Sequence, residues 1–382
     1  MKTIEAETPS NDHRAMLRDS VADFAARASD IARVRRLRGD AAEYDRAVWR
    51  RMAELGWLGI LVPEQYGGLG LALAEAAIVA EGLARGLAPE PFTAAAVLAV
   101  EAIAGGDNEA FKQQHLPRVV DGSLLPVLAW QERAGEVGPA GGTTQASPFE
   151  GGWRVGGVKR FVSAAAGADA YLVSAATSQG VALFWVDRGA PGVALELEPL
   201  ADGRHFGTLT LKDVTVPRGH MVASASVAAE ALARALDHAT VICSAELVGV
   251  MSRTLEMSLD YLRTRKQFGK AIGSFQALQH RAVDLYIQRE LASAVLEEAI
   301  GALDGQPDAA RRAMLASRAK ARSTEAGLRI TREAIQIHGA IGFTDEYDAG
   351  LYLKRALVLA AWLGNATWHR RRYGALAART DA

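Results

Sequence analysis

The sequence predicts an α+β chain in three parts: an N-terminal helical domain over 1–122, a middle antiparallel β domain over 123–222 and a C-terminal four-helix bundle over 223–382. Three observations support this. Alanine- and leucine-rich segments with helical periodicity fill both ends, and at Ser123 the texture changes to short runs rich in β-branched and aromatic residues. The chain is also long enough, at 382 residues with 49% hydrophobic, to bury two or three real cores.

In the first part, "DSVADFAARASDIARVRRL" (19–37) carries the helical period. "VPEQYGGLGL" (62–71) interrupts it as a loop, marked by Pro63 and the paired Gly67 and Gly68. The second part offers "LLPVLAWQ", "GWRVGGVKRFV", "AYLVSA", "VALFWV", "VALELE" and "TLTLKDVTV", separated by Gly, Asp, Pro or Ala-Gly turns. These predict short antiparallel strands in a sandwich or barrel. From Val227 the helical period returns in segments at 227–264, 275–302, 307–337 and 350–374, whose apolar stripes and short connections predict a bundle.

Composition excludes several classes. A net charge of −1 does not suit nucleic-acid binding, which needs a basic surface. The single cysteine, Cys243, allows neither a disulfide within the chain nor a cysteine metal site, and in its apolar run it reads as a packing residue. Met1 to Arg18 is mixed and charged without a hydrophobic signal core, and no stretch reaches the roughly 20 apolar residues of a membrane span. The expectation is a soluble cytoplasmic protein, away from the membrane. HExxH, Walker, GxSxG and strand-following GxGxxG motifs are absent, and no metal site is expected.

Two stretches carry chemistry. "CSAELVGVM" (243–251) places Glu246 in an apolar run, with Ile242 and Val250 four residues away and Cys243 and Gly249 three. None of those helical neighbours can pair with a charge. A carboxylate buried there must become neutral or find a partner elsewhere. In "YLRTRKQFGKAIGSFQALQHRAVDLY" (261–286) a helix ends on Arg263, Arg265 and Lys266, followed by Phe268-Gly269. Arginine holds phosphate by paired hydrogen bonds and phenylalanine stacks on a base, which suits a dinucleotide. The plainer reading is that these cations complement the helix dipole.

Together with "ELGWLGILVPEQYGGLGL" (54–71) and "EAIQIHGAIGFTDEY" (333–347), and in the order helix, sheet, bundle, the segment "RTRKQFGKAIGSFQ" (263–276) resembles the acyl-CoA dehydrogenase family over essentially the whole chain. "FTDEYDAGLYLKRALVLAAWLGNA" (343–366) is similar to the small subunit of two-chain members such as pimeloyl-CoA dehydrogenase. The resemblance implies an FAD-dependent enzyme of β-oxidation that converts an acyl-CoA to its trans-2-enoyl-CoA. It also implies a tetramer of like chains or of two related chains, with electron-transfer flavoprotein or a similar acceptor. Arg265, Gln267 and Phe268 would grip the FAD pyrophosphate and adenine across a dimer interface. Gln336 and Gly339 would meet the same dinucleotide, although Ala340 stands where many members have a second glycine. "WQE" (130–132), with Trp130 and Gln131, matches the strand along the flavin ring. "RFVS" (160–163) would set Phe161 over the isoalloxazine and Ser163 near its reactive edge. Asn365 would also face the cofactor. The glycine- and serine-bearing stretch after the first strand reads "RAGEVGPAGG" (133–142) here and departs from the family pattern. His338 reads as a packing or interface residue.

This family needs a carboxylate opposite the flavin to take the α-proton, and hydrogen bonds to the thioester oxygen to acidify it. An ungapped count brings the usual Y-E-G-T stretch onto "WLGN" (362–365), so Leu363 stands at the glutamate position. Its backbone N–H can still serve the thioester oxygen. The position used by a minority of members falls on Ala239, with Thr240 where an arginine is common, and these small residues hint at a wide pocket. Glu246 lies seven residues after Ala239, on the same helical face about 10 Å further along the axis. It is the candidate base. The plainer reading is that it braces the helix through backbone groups or an arginine from another helix. Two further readings stay open: a flavin-completing subunit whose partner carries the proton chemistry, and a flavin-dependent monooxygenase on the same fold.

Overall fold

The computed structural model describes residues 11–28, 31–39, 44–138 and 142–380. Helices α1 (Asn11–Ala28), α2 (Ile31–Leu37), α3 (Arg46–Glu54), α4 (Leu73–Arg85), α5 (Phe92–Ala104) and α6 (Glu109–Val120) build the first part. Side chains start several of them. Asp45 caps α3 by accepting from the Ala47 N–H at 2.8 Å, and Asn108 caps α6 through the Phe111 N–H at 3.1 Å. The predicted loop at 62–71 is folded back on itself by backbone bonds such as Leu69 N–H to Gly59 O, 2.8 Å.

Eight strands form the middle sheet: β1 (Pro126–Ala129), β2 (Gln145–Phe149), β3 (Gly152–Ser163), β4 (Ala170–Thr177), β5 (Gly180–Asp187), β6 (Val193–Pro199), β7 (His205–Pro217) and β8 (Met221–Ala223). They pair in the order β6-β7-β3-β2-β4-β5-β8, with β1 added alongside β4. The expectation of purely antiparallel pairing needs correction, because β1 runs parallel to β4 (Pro126 opposite Ala170) and β2 meets β4 in parallel at Gln145 and Ala176. The sequence reading also missed β2, whose Ser147 and Pro148 are poor strand formers, and the three-residue β8.

The bundle contains α7 (Ala228–Thr264), α8 (Gln276–Asp304), α9 (Ala309–His338), α10 (Ala349–Ala361) and α11 (Ala366–Thr380). The predicted helix at 350–374 is therefore two helices, broken at Trp362–Asn365. Gly364 causes the break: its φ is +101°, and a Cβ there would lie 2.9 Å from His369 Nε2. Between α7 and α8 the chain forms a hairpin of β9 (Lys266–Gln267) and β10 (Lys270–Ala271).

α7 is the central rod. Among the described residues it is the one helix long and apolar enough to cross a membrane, yet 83% of its apolar window is buried inside the fold. Gly249 lets it close on α4, since a Cβ at that position would come within 2.2 Å of Glu81 O. Cys243 is buried in the same helix and its thiol is pushed up to about 11 by burial, as suits a packing residue.

Candidate active site

A cavity of about 690 Å³, counting its solvent-open mouth, lies where the three parts meet. The end of α4 and the start of α5 supply one wall, the ends of β3 and β7 a second, and α7 and α10 the third. Glu246 lines it from α7, Ser163 from β3, and Arg355, Val358 and Trp362 from α10 and the residue after it.

Glu246 has partners, all from outside its own helix. Oε1 accepts from Thr93 Oγ1 at 2.5 Å, and Oε2 accepts from Arg355 Nη2 at 2.6 Å. Arg355 donates through its other nitrogen to Asp202 Oδ2 at 3.0 Å. Burial opposes a charge on Arg355, but Glu246 and Asp202 outweigh it and its pKa is raised. Glu246 is thus one end of a buried ionic triad, and its partner is an arginine from another helix, as the plainer reading of the sequence has it. The local helical neighbours are as apolar as expected; the charge is met by α10 and α5.

Ala239 and Thr240 are buried but do not line the cavity, so the width expected from them has another source. The small residues on the wall include Ala80, Ala84, Ala88, Ala94 and Ala164. Thr240 instead donates its hydroxyl to Leu236 O at 2.6 Å. Leu363 is buried with φ +60° in the break between α10 and α11; Trp362 before it lines the cavity, whereas Leu363 does not. Among the described residues the Leu363 N–H has no backbone acceptor. Asn365 is exposed, and its Oδ1 accepts from the Trp368 N–H at 2.9 Å to start α11.

On the sheet side, a register shift between Lys159 and Val162 puts Phe161 at φ +57°. Phe161 does not line the cavity; it packs edge-on against Phe206, which does, with ring centroids 6.3 Å apart. Trp130 and Gln131 are half-buried, and Gln131 Nε2 donates to Arg133 O at 2.9 Å. A buried ion pair backs this segment after β1: Lys159 Nζ reaches Glu132 Oε1 at 2.7 Å and Trp130 O at 3.3 Å. Part of "RAGEVGPAGG", residues 139–141, lies outside the described residues.

A second group of residues sits apart from the cavity. Arg265, Gln267 and Phe268 lie on the hairpin after α7, and Gln336 and Gly339 at the end of α9, all exposed. Phe268 is 90% exposed at φ +52°, and Arg265 and Lys266 make no ion pair among the described residues. Uncompensated cations beside a bare aromatic ring suit an anionic dinucleotide. His338 is buried between Tyr261 and Tyr347, 4.5 Å from each ring, and its Nδ1–H donates to Ala334 O at 2.7 Å; it is a packing residue.

Residues 229–376 match the profile of the acyl-CoA dehydrogenase C-terminal domain, and residues 11–123 that of the N-terminal domain. The chain belongs to the acyl-CoA dehydrogenase family. Two relatives from Mycobacterium tuberculosis span nearly its whole length. The acyl-CoA dehydrogenase FadE27 is 30% identical over 89% of this chain and 90% of its own, and IpdE2 is 33% identical over 90% and 91%. Among solved structures, the ChsE4-ChsE5 complex of M. tuberculosis superposes with a TM-score of 0.88 at 29% identity, covering 99% of this chain and 100% of that one. A variant of the Tcur3481-Tcur3483 steroid ACAD gives 0.87 at 31% identity, covering 97% and 99%.

This acyl-CoA dehydrogenase is therefore an FAD-dependent oxidoreductase acting on a CH–CH bond of an acyl-CoA, the desaturation chemistry of β-oxidation. Sequence reasoning missed Thr93 and Arg355. Thr93 and Arg355 come from other helices to meet Glu246.

Proposed function

We propose that Glu246 is the base of this dehydrogenase, and that the chain works beside a second, related chain in a tetramer. The observation that carries the first point is the placement of its carboxylate in the cavity wall, held by Thr93 and Arg355, in the same cavity as Ser163. The two other positions at which the family places an acid hold Leu363 and Ala239, and neither lines the cavity. Arg355 keeps a charged partner beside Glu246, and a general base must be ionised before it can accept a proton. The flavin, when bound, supplies the hydride acceptor. Ser163 would sit at its reactive edge with Phe161, Trp130 and Gln131 nearby, and Asn365 on the bundle side. Arg265, Gln267, Phe268, Gln336 and Gly339 would hold the dinucleotide of a neighbouring site, since none of them lines this cavity. The Leu363 N–H would donate to the thioester oxygen.

The two-chain assembly is supported by the two-component ChsE4-ChsE5 relative and by a stripe on α8. Val283, Tyr286, Ile287 and Leu291 are exposed there at helical spacing, an apolar face suited to another subunit. The complex would work in the cytoplasm and pass its electrons to electron-transfer flavoprotein or a similar acceptor.

Glu246→Gln is expected to abolish anaerobic bleaching of bound FAD by an acyl-CoA while leaving FAD in place. Full turnover in that variant would rule Glu246 out. A second reading draws on the ionic triad: Glu246 only braces α7 against α10, and the partner chain carries the base. Under it, Glu246→Gln is silent in the assembled complex and the partner's own acid is essential.

A further inference from the structure

The break between α10 and α11 is closed from inside by a charge. Lys320 of α9 is fully buried, and its Nζ donates to Leu359 O at 2.8 Å, Trp362 O at 2.7 Å and Gly364 O at 3.0 Å. Three carbonyls match the three hydrogens of an ammonium group; a neutral amine would leave one of them unmet. Burial lowers the Lys320 pKa, while Cys243 and Glu246 act in the opposite direction. The remaining carbonyl of the turn, Leu363 O, lies 2.9 Å from His369 Nε2, and Ser317 Oγ lies 3.3 Å from the other ring nitrogen. The neutral ring with its proton on Nε2 satisfies both contacts. Between them Lys320 and His369 take the carbonyls of Trp362, Leu363 and Gly364 and hold Leu363 in the left-handed region, which leucine rarely occupies.

Trp362 O and the Leu363 N–H belong to one peptide unit. In a trans peptide they point in opposite directions, and no cis peptide occurs among the described residues. With the oxygen turned to Lys320, the N–H faces away from α9, and Trp362, the residue that carries that oxygen, lines the cavity. A charge-assisted hydrogen bond at the oxygen polarises the whole unit and strengthens the N–H as a donor.

We propose that Lys320 is a positioning residue of the desaturation site: it aims and polarises the Trp362–Leu363 peptide, whose N–H binds the thioester oxygen as enolate-like charge develops. Lys320 touches neither substrate nor cofactor and exchanges no proton. The inference rests on the thioester site proposed above and does not require Glu246 to be the base.

The test uses the FAD-loaded complex with acetoacetyl-CoA as the probe. Its bound enolate is followed by ultraviolet absorbance across pH, an equilibrium reading that needs neither turnover nor a base. Lys320→Gln keeps two donors but removes the charge. It is expected to raise the enolate midpoint by at least about one pH unit, a tenfold loss of stabilisation, with flavin retained. Glu246→Gln, which removes an anion from the cavity, should not raise it. An unchanged midpoint in a folded, flavin-bearing Lys320→Gln overturns the proposal. Should that variant not fold, hydrogen exchange of the wild type decides: acetoacetyl-CoA must protect the Leu363 amide, and unchanged exchange at saturation overturns the proposal. Failure of the wild type to bind the probe at all overturns the thioester site together with the role of Lys320. Full activity in Glu246→Gln with a raised midpoint in Lys320→Gln would reject the base and leave Lys320 standing.

Discussion

Arg355 Nη2 lies 2.6 Å from Glu246 Oε2, a bond between helices across 109 positions of sequence. Both side chains are nearly enclosed, at 10% and 12% exposure, and Asp202 at 3.0 Å completes the triad. Removing the cation strips Glu246 of its ionic partner in a buried site and, among the described residues, leaves Asp202 only Arg204, at 3.7 Å. Arg355→Met is expected to destabilise the protein by about 3–5 kcal/mol. Glu246→Gln leaves Arg355 its bond to Asp202 and costs less. Urea unfolding of the flavin-loaded protein should therefore rank the double variant Glu246→Gln/Arg355→Met above Arg355→Met alone. The reverse order would mean that the triad does not hold α7 and α10 together.

Phe268 is the most exposed large hydrophobic residue described, on a hairpin that gives its own ring nothing but an edge contact to Phe275. Its left-handed backbone also costs about 1–2 kcal/mol, which the isolated hairpin does not recover. Stacking on a base would offset that. Phe268→Ala should weaken FAD binding by about 1 kcal/mol, roughly fivefold in Kd, with the melting curve of the flavin-free chain unchanged. Flavin fluorescence during dilution reads it directly. An unaltered dissociation constant would remove Phe268 from the cofactor site.

Much of the architecture was legible because it depends on local periodicity. The long helices α7, α8 and α9 and six of the eight strands, β1 and β3 to β7, follow from spacing and composition, since one buried face imposes a period of 3.6 or 2. What escaped the sequence is non-local. The helical texture of "RALVLAAWLGNAT" (355–367) hides the break after α10, because Lys320, whose ammonium takes three of the carbonyls at the break, lies some forty residues upstream. Glu246 was found as an acid out of place, yet its partners Thr93 and Arg355 sit in segments that read as ordinary helix. Ala239 and Thr240, chosen by counting along the chain, turned out to face the core and not the cavity. A face of a helix can be counted, but which neighbour covers it is decided by packing.

His369 gives the fold a pH dependence with a definite sign. Burial, and then the nearby Lys320 charge, push its pKa down to about 3. The unfolded chain takes up that proton at about pH 6.5. Between those values the unfolded state binds more protons, so stability falls as pH drops from about 6.5 towards 3, and below that this group contributes no further change. From pH 7 to pH 5 the loss from His369 alone should be about 2 kcal/mol. In His369→Gln, whose amide can still donate to Leu363 O, the thermal midpoint should shift less between the two pH values than in the wild type. Equal shifts would show that the ring is not held neutral in the native state.

Lys159 and Glu132 brace the segment after β1 that carries Trp130 and Gln131, and the pair is buried at 1% and 7% exposure. Burial opposes the charge on Glu132, but Lys159 and the threonines donate to it and hold its carboxyl well below the usual carboxylate range. The donors are the Thr143 hydroxyl at 2.8 Å, the Thr144 N–H at 3.0 Å and the Thr143 N–H. The stability this gives is complete above the ordinary carboxylate pKa and is lost as pH falls through the depressed one. Lys159 also holds Trp130 O and Ser174 Oγ, at 3.3 and 3.1 Å, so it ties Trp130 and Glu132 to β4. Lys159→Met removes all three contacts and strands an anion, for a cost of about 3 kcal/mol. Glu132→Gln keeps an acceptor for the threonine donors and should cost less. Because Trp130 and Gln131 would border the flavin ring, Lys159→Met should also shift the visible absorption of bound FAD. A variant that loses stability with an unaltered flavin spectrum would place this segment away from the ring.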